Sequence, residues 1–212
     1  MILGTASGAA AGDLRFFRDF VEGRPGEILD AALAVFAEEG FDRGTMRQIA
    51  ARVGVSEPAL YRHFASKDEL FDRFVELAGE RQLQQVESVL QTVDPTSFPE
   101  SIRQTLDNVR CGMVGVVPVI KVIATEALRR PSVLAAWREH FVGPLQDRIA
   151  LVVKRIDAHY AVSTSAEEFA GRVRFVMGTM QGYMITSLLF GNAGADTYLE
   201  TTMDAMGWTV GR

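Results

Sequence analysis

From Pro25 onward, apolar residues in this chain recur three to four positions apart, the period of an α-helix with one buried face. Leu29, Ala32, Leu33 and Phe36 form one such stripe, and Met46, Ile49, Ala50 and Val53 form a second. Alternating β-branched runs are missing, and so are Asn-Gly or Asp-Gly hairpin signals. The pattern therefore requires an all-α fold. With 212 residues, 48% of them hydrophobic, the chain is long enough to bury a substantial helical core. No internal repeat is visible.

Local signals divide the chain. Residues 1–24 read as a flexible arm, because Gly4 to Gly12 is rich in glycine, alanine and serine. Phe16, Phe17 and Phe20 allow a packed helix in the arm's second half, and Arg15, Arg18 and Arg24 allow a minor-groove contact. Gly40 stops the first helix. Thr45 with Gln48 forms a capping box for the second, and Gly54 ends it. Ser56 is an N-cap for a third helix, Glu57 to Phe64, in which Pro58 occupies the first turn. Ser66 with Glu69 opens a fourth. Beyond Thr92, helices are expected at about 98–113, 115–129, 132–158, 165–190 and 196–208. Pro118 and Pro144 are expected to kink or interrupt the helices that hold them.

The second and third helices, joined by Gly54-Val55-Ser56, have the layout of a helix-turn-helix. In that geometry the second helix enters the DNA major groove and presents its N-terminal residues to base edges. Leu60 and Phe64 face inward, leaving Glu57, Ala59, Tyr61 and Arg62 outward. Between Arg43 and Lys67 stand five basic residues and one acid, in a chain whose net charge is −5. A local basic patch within an acidic protein is the electrostatic footprint of DNA binding.

Other chemistries are poorly supplied. The three histidines show no metal-ligand spacing, and Cys111 stands alone without an identifiable base. No phosphate-cradling glycine loop precedes a lysine. An enzyme is therefore not expected, and neither is a cofactor. Met1 to Gly12 lacks the positive start of a secretory signal. The uncharged stretch Phe175 to Ala195 is broken by Gly178, Gln181, Gly182, Gly191 and Asn192, which leaves it short of a membrane span. A cytoplasmic protein is expected.

The run ILDAALAVFAEEGFDRGTMRQIAARVGVSEPALYRHFASKDEL, Ile28 to Leu70, resembles the DNA-binding domain of the TetR/AcrR family of repressors. Thr45, Ile49, Ala50, Gly54, Val55, Ser56, Leu60, Tyr61, His63, Phe64 and Lys67 stand where that family's pattern has them. The resemblance implies a DNA-binding domain over 25–72, then a ligand-binding and dimerisation domain over 73–212. It implies that Thr45, Tyr61, His63 and Lys67 hold phosphates and that Ser56 caps the recognition helix. Glu57, Ala59 and Arg62 would face bases, and Arg47 would reach backbone or base. Tyr61 as a structural aromatic, and His63 bonded within the protein, are alternatives that the residues leave open. The implied partners are a double-stranded operator, a small-molecule effector and a second copy of the chain.

The resemblance places the dimer face on the last two long helices. Gly171, Gly178, Gly182 and Thr186 give the 165–190 helix a thin side, and packing within one chain remains the other reading. For the effector pocket, Met113, Val117, Trp137, Phe141, Met177, Met180 and Met184 supply adaptable apolar surface. Each such residue is more often plain core. Glu126 and His140 are candidate polar anchors. A ligand-independent DNA-binding regulator is the rival function.

Overall fold

A computed structural model describes residues 15–97, 100, 101, 104, 116–190 and 195–208, with backbone alone for 184–190, 195, 196, 198 and 199. Among these residues every regular element is helical. The helices are α1 (Arg24–Glu39), α2 (Met46–Val53), α3 (Glu57–Tyr61), α4 (Lys67–Leu90), α5 (Val117–Ala127), α6 (Pro131–Trp137), α7 (Gly143–His159), α8 (Ala166–Phe190) and α9 (Ala195–Met206). A 3-10 turn covers Pro95–Ser97, and a π-helical segment, Arg138–Val142, joins α6 to α7. The expected helix over 98–113 falls mostly outside the described residues.

The chain forms two compact units. The first holds the described residues of Met1–Arg81 and Gly115–Arg138. Its buried centre is aromatic: Phe71 stacks on Phe74 with centroids 5.7 Å apart, Phe36 meets Phe71 edge-on at 5.4 Å, and Phe41 lies 4.7 Å from Phe71. Such pairs add to the large apolar area that each ring buries. Helix α5 packs along α1, so the unit built around the helix-turn-helix includes a segment from much later in the chain. Ahead of α1, Phe16 and Phe17 are buried. The Phe17 N–H donates to the buried Asp30 carboxylate at 2.6 Å, and the Phe17 ring lies 5.1 Å from Phe74.

The second unit holds the described residues of Gln82–Val114 and Glu139–Arg212. Leu90, Ile149, Val153, Ile156, Val173, Met203 and others form its core. A buried charged group there is Asp157. It accepts from Arg172 Nη2 at 2.6 Å and from Trp208 Nε1 at 2.6 Å, and Arg172 also donates to the Met206 carbonyl at 2.7 Å. A buried charge persists only when its partners replace the lost water, and these three groups tie α7, α8 and the end of α9 together.

Three helical expectations are revised. The 132–158 stretch is two helices, because Pro144, which has no N–H to donate, sits in the first turn of α7 directly after the π segment. Pro118 does not kink a helix. It lies in the first turn of α5, where a missing donor costs nothing. Helix α3 ends at Tyr61 rather than Phe64. The His63 N–H turns inward to the Leu60 carbonyl at 2.9 Å as the chain tightens toward the next capped helix.

Candidate nucleic-acid interface

The turn between α2 and α3 is set by short-range chemistry. Thr45 caps α2: its Oγ1 accepts from Gln48 N–H at 3.2 Å, and Gln48 Oε1 accepts from Thr45 N–H at 2.8 Å. Both halves of the capping box are present, each satisfying a donor that the helix end leaves free. Gly54 ends α2 with φ of 78°, a left-handed conformation that a side chain would oppose. Ser56 then caps α3 by accepting from Ala59 N–H at 3.4 Å. Helix α4 opens on Ser66, which accepts from Glu69 N–H at 3.0 Å. The Glu69 carboxylate reaches one residue further back than a standard box, to Ala65 N–H at 2.7 Å.

Packing fixes which face of α3 is presented. Leu60 and Phe64 are buried, as are Ile49 and Ala50 of α2. Tyr61, 45% exposed, projects outward together with Arg62 and His63. Glu57 and Ala59 are half-buried, and Thr45, Arg47, Ser56 and Pro58 are exposed. The nine residues singled out for DNA therefore belong to one short stretch of the first unit, and all but three are exposed.

The structure sorts the five basic residues of that stretch. Arg52 makes a two-pronged pair with Glu38 at 3.0 and 2.9 Å. Arg43 donates to the Glu39 carbonyl at 3.0 Å. Lys67 Nζ donates to three carbonyls, Phe41 at 2.9 Å, Asp42 at 3.2 Å and Gly44 at 3.0 Å, and lies 4.4 Å from the Phe41 ring centroid. An ammonium has three donors, so all of them are taken. Arg47 and Arg62 have no side-chain partner among the described residues. Their guanidinium donor sets are wholly uncommitted, whereas Arg43 spends its Nε and Arg52 part of its set within the protein.

Sequence reasoning missed two groups near this face. Arg129 pairs with Asp42 at 3.2 Å, and Arg130 pairs with Asp68 while its guanidinium carbon lies 4.2 Å from the Phe41 centroid. Read as a sequence, Arg130-Pro131 signals only a helix boundary.

The effector residues lie in different places. Val117 begins α5 and Trp137 ends α6, both half-buried in the first unit. Phe141, Met177 and Met180 pack against the core of the second unit. Met113, and the side chain of Met184, lie outside the described residues. Glu126 is buried, and His140 is half-buried. A groove of about 550 Å³ in the second unit is lined by other residues, including Leu90, Arg148, Leu151 and Arg155.

Residues 28–74 match the family model for bacterial regulatory proteins of the tetR family. The chain is 27% identical over 198 residues to the HTH-type transcriptional regulator YfiR of Bacillus subtilis, covering 86% of this chain and 93% of that one. It is 46% identical over 55 residues to the HTH-type transcriptional repressor KstR2 of Mycobacterium tuberculosis, covering 26% of this chain and 28% of KstR2. In fold it is similar to the transcriptional regulator FadR of Bacillus subtilis, solved in complex with stearoyl-CoA. That match has a TM-score of 0.64 at 14% identity and covers 84% of this chain and 97% of that one.

Proposed function

We propose that this chain is a transcriptional regulator of the TetR family, a repressor that binds a palindromic operator as a homodimer and leaves it when a small apolar ligand binds. The observation that carries the reading is the outward face of α3. Tyr61, Arg62 and His63 project from a capped two-helix unit, and Arg62 has its full donor set available. Thr45, Tyr61 and His63 are assigned to phosphates. Arg62 is assigned to a base edge, where guanine is its best partner, and Glu57 and Ala59 lie beside it. Arg47 reaches backbone or base. Lys67 reaches a phosphate only by giving up one of its three carbonyls.

Two further features support the rest of the reading. On α8, Phe175 is 47% exposed, and a Cβ added at Gly178 would meet nothing within 4 Å. An exposed ring beside a thin helix stripe suits close approach by the same helices of a second copy, in a four-helix interface with α9. Two recognition helices then engage half-sites about 34–36 Å apart on one face of the DNA. For the effector, Phe141, Met177 and Met180 in the second unit offer adaptable apolar surface. FadR, similar in fold, was solved with stearoyl-CoA, which makes a long acyl chain the first ligand class to test. No helix among the described residues is long and apolar enough to cross a membrane. DNA is the partner, and the cytoplasm is the proposed place of action.

The test is selection by the wild-type protein from a library of random 30-base-pair duplexes, with sedimentation of the protein alone and on the enriched duplex. The reading expects an enriched palindrome bound by a dimer, and Phe175→Glu shifting the free protein toward monomer. Enrichment of no sequence would overturn it.

A further inference from the structure

Arg130 lies in the α5–α6 turn, well beyond the residues that the family model matches. The turn itself is firm: the N–H groups of Arg129 and Arg130 both donate to the carbonyl of the buried Glu126, at 2.9 and 2.8 Å, and Val133 N–H donates to the Arg130 carbonyl at 3.0 Å. From there the guanidinium does two things. It lies 4.2 Å from the Phe41 ring centroid and 5.6 Å from that of Phe71, and it pairs with the Asp68 carboxylate. A cation held over an aromatic face is attracted to the ring's negative quadrupole, and more strongly where water is excluded. One of its donors, Nη1, is buried with no hydrogen-bond partner among the described residues. The side chain is therefore held by the ring and the carboxylate, not by a full set of hydrogen bonds.

The positions of those two contacts give the arginine its leverage. Phe41 and Asp42 form the turn that leads directly into Thr45, the cap of α2. Asp68 lies in the first turn of α4, which follows α3 through the short link Arg62 to Ser66. One side chain thus grips the chain immediately before the helix-turn-helix and immediately after it. Lys67 closes the same arrangement from within, its ammonium on the carbonyls of Phe41, Asp42 and Gly44 and near the same ring.

We propose that Arg130 is a positioning residue for operator recognition, setting the angle at which α3 is offered to DNA while touching no DNA itself. The inference rests on the DNA-binding reading above and adds a residue outside the matched domain to it. A misplacement of about 1 Å at a recognition element is enough to break directional hydrogen bonds to base edges, while phosphate attraction tolerates it. Loss of Arg130 therefore reduces preference for the operator more than it reduces affinity for DNA in general.

The experiment uses the full-length protein, the palindrome that wild type enriches from random duplexes, and a shuffled duplex of the same composition, at two salt concentrations. Arg130→Ala is expected to weaken operator binding fivefold or more and shuffled binding less than twofold. Asp68→Asn removes a negative charge from the basic stretch, so plain electrostatics makes it bind DNA more tightly. Positioning makes it bind the operator more weakly. Arg130→Lys keeps a cation within reach of Phe41 and Asp68 and is expected to recover much of the lost preference. Arg129→Ala, which breaks only a highly exposed pair with Asp42, is expected to stay within twofold of wild type. If Arg130→Ala does not fold, Asp68→Asn and Arg130→Lys decide the matter. The inference is overturned if Arg130→Ala weakens both duplexes equally, if Asp68→Asn tightens both, or if the variants lower melting temperature while folded protein keeps wild-type operator affinity. A wild-type protein that enriches no duplex overturns the DNA-binding reading, and this inference with it.

Discussion

Lys67 Nζ donates to the carbonyl of Gly44 at 3.0 Å, joining the first residue of α4 to the turn that feeds α2. The turn is tight at that point. A Cβ on Gly44 would come within 3.0 Å of Val35 and 3.1 Å of the Gly40 carbonyl. The lysine's other donors go to Phe41 and Asp42, and its charge lies near the Phe41 ring.

Lys67→Ala is therefore expected to destabilise the protein, by about 1–3 kcal/mol for lost charge-assisted bonds to carbonyls. Lys67→Met keeps the stem and removes the charge, and should lose most of the same amount. Urea unfolding followed by circular dichroism measures both. Two variants as stable as wild type would mean that the lysine is held by the turn without holding it.

In the second unit, Asp157→Ala leaves Arg172 and the Trp208 N–H without their carboxylate. Removing one member of a buried pair strands the other charge, at a cost of about 3–5 kcal/mol. Trp208→Phe keeps most of the ring's burial and loses a single hydrogen bond, so about 1 kcal/mol is expected. Thermal unfolding of the two variants should rank them in that order. The reverse order would place the stabilisation in the indole's packing.

Asp30 governs a pH dependence in the first unit. Burial raises its carboxyl above the ordinary value of 3.8, although the N–H groups of Phe17 and Arg18 and the Arg18 guanidinium act in the opposite direction. Folding thus favours the neutral acid. Its linked stability is complete below pH 3.8 and is lost as pH rises through the raised folded value. Relative to Asp30→Asn, wild type should lose stability on going from pH 3.5 to neutrality in urea titrations. A wild type that gains on the variant over that range would show that the hydrogen bonds outweigh desolvation.

How much of this was legible in the sequence follows from the range of each interaction. Thr45, Gln48, Gly54 and Ser56 act on backbone groups within a few residues, so their spacing in the chain already specified the helix boundaries. The inward face of α3 followed from Leu60 and Phe64 for the same reason. Lys67 and Arg130 were opaque because their partners come from distant segments brought together by folding. The basic patch was read as uniform charge, whereas tertiary contacts pair Arg52 with Glu38 and commit all three Lys67 donors to backbone carbonyls. Pro118 and Pro144 mark helix starts, a role that periodicity cannot separate from a kink. The effector residues were chosen by type, and type alone does not distinguish a pocket wall from core.

The central claim is that α3 reads bases through Arg62 and holds the backbone through Tyr61. Its most direct test is a binding titration of Arg62→Ala and Tyr61→Phe against the enriched palindrome and a shuffled duplex, at several salt concentrations. Arg62→Ala is expected to cost about 1–3 kcal/mol per half-site on the palindrome, with relaxed preference at one base position. Tyr61→Phe is expected to weaken both duplexes alike, with the salt slope unchanged because no charge is lost. Neither change should lower fold stability, since both side chains project from the surface. Equal weakening of both duplexes by Arg62→Ala, together with altered base preference in Tyr61→Phe, would contradict this placement of α3 in the groove.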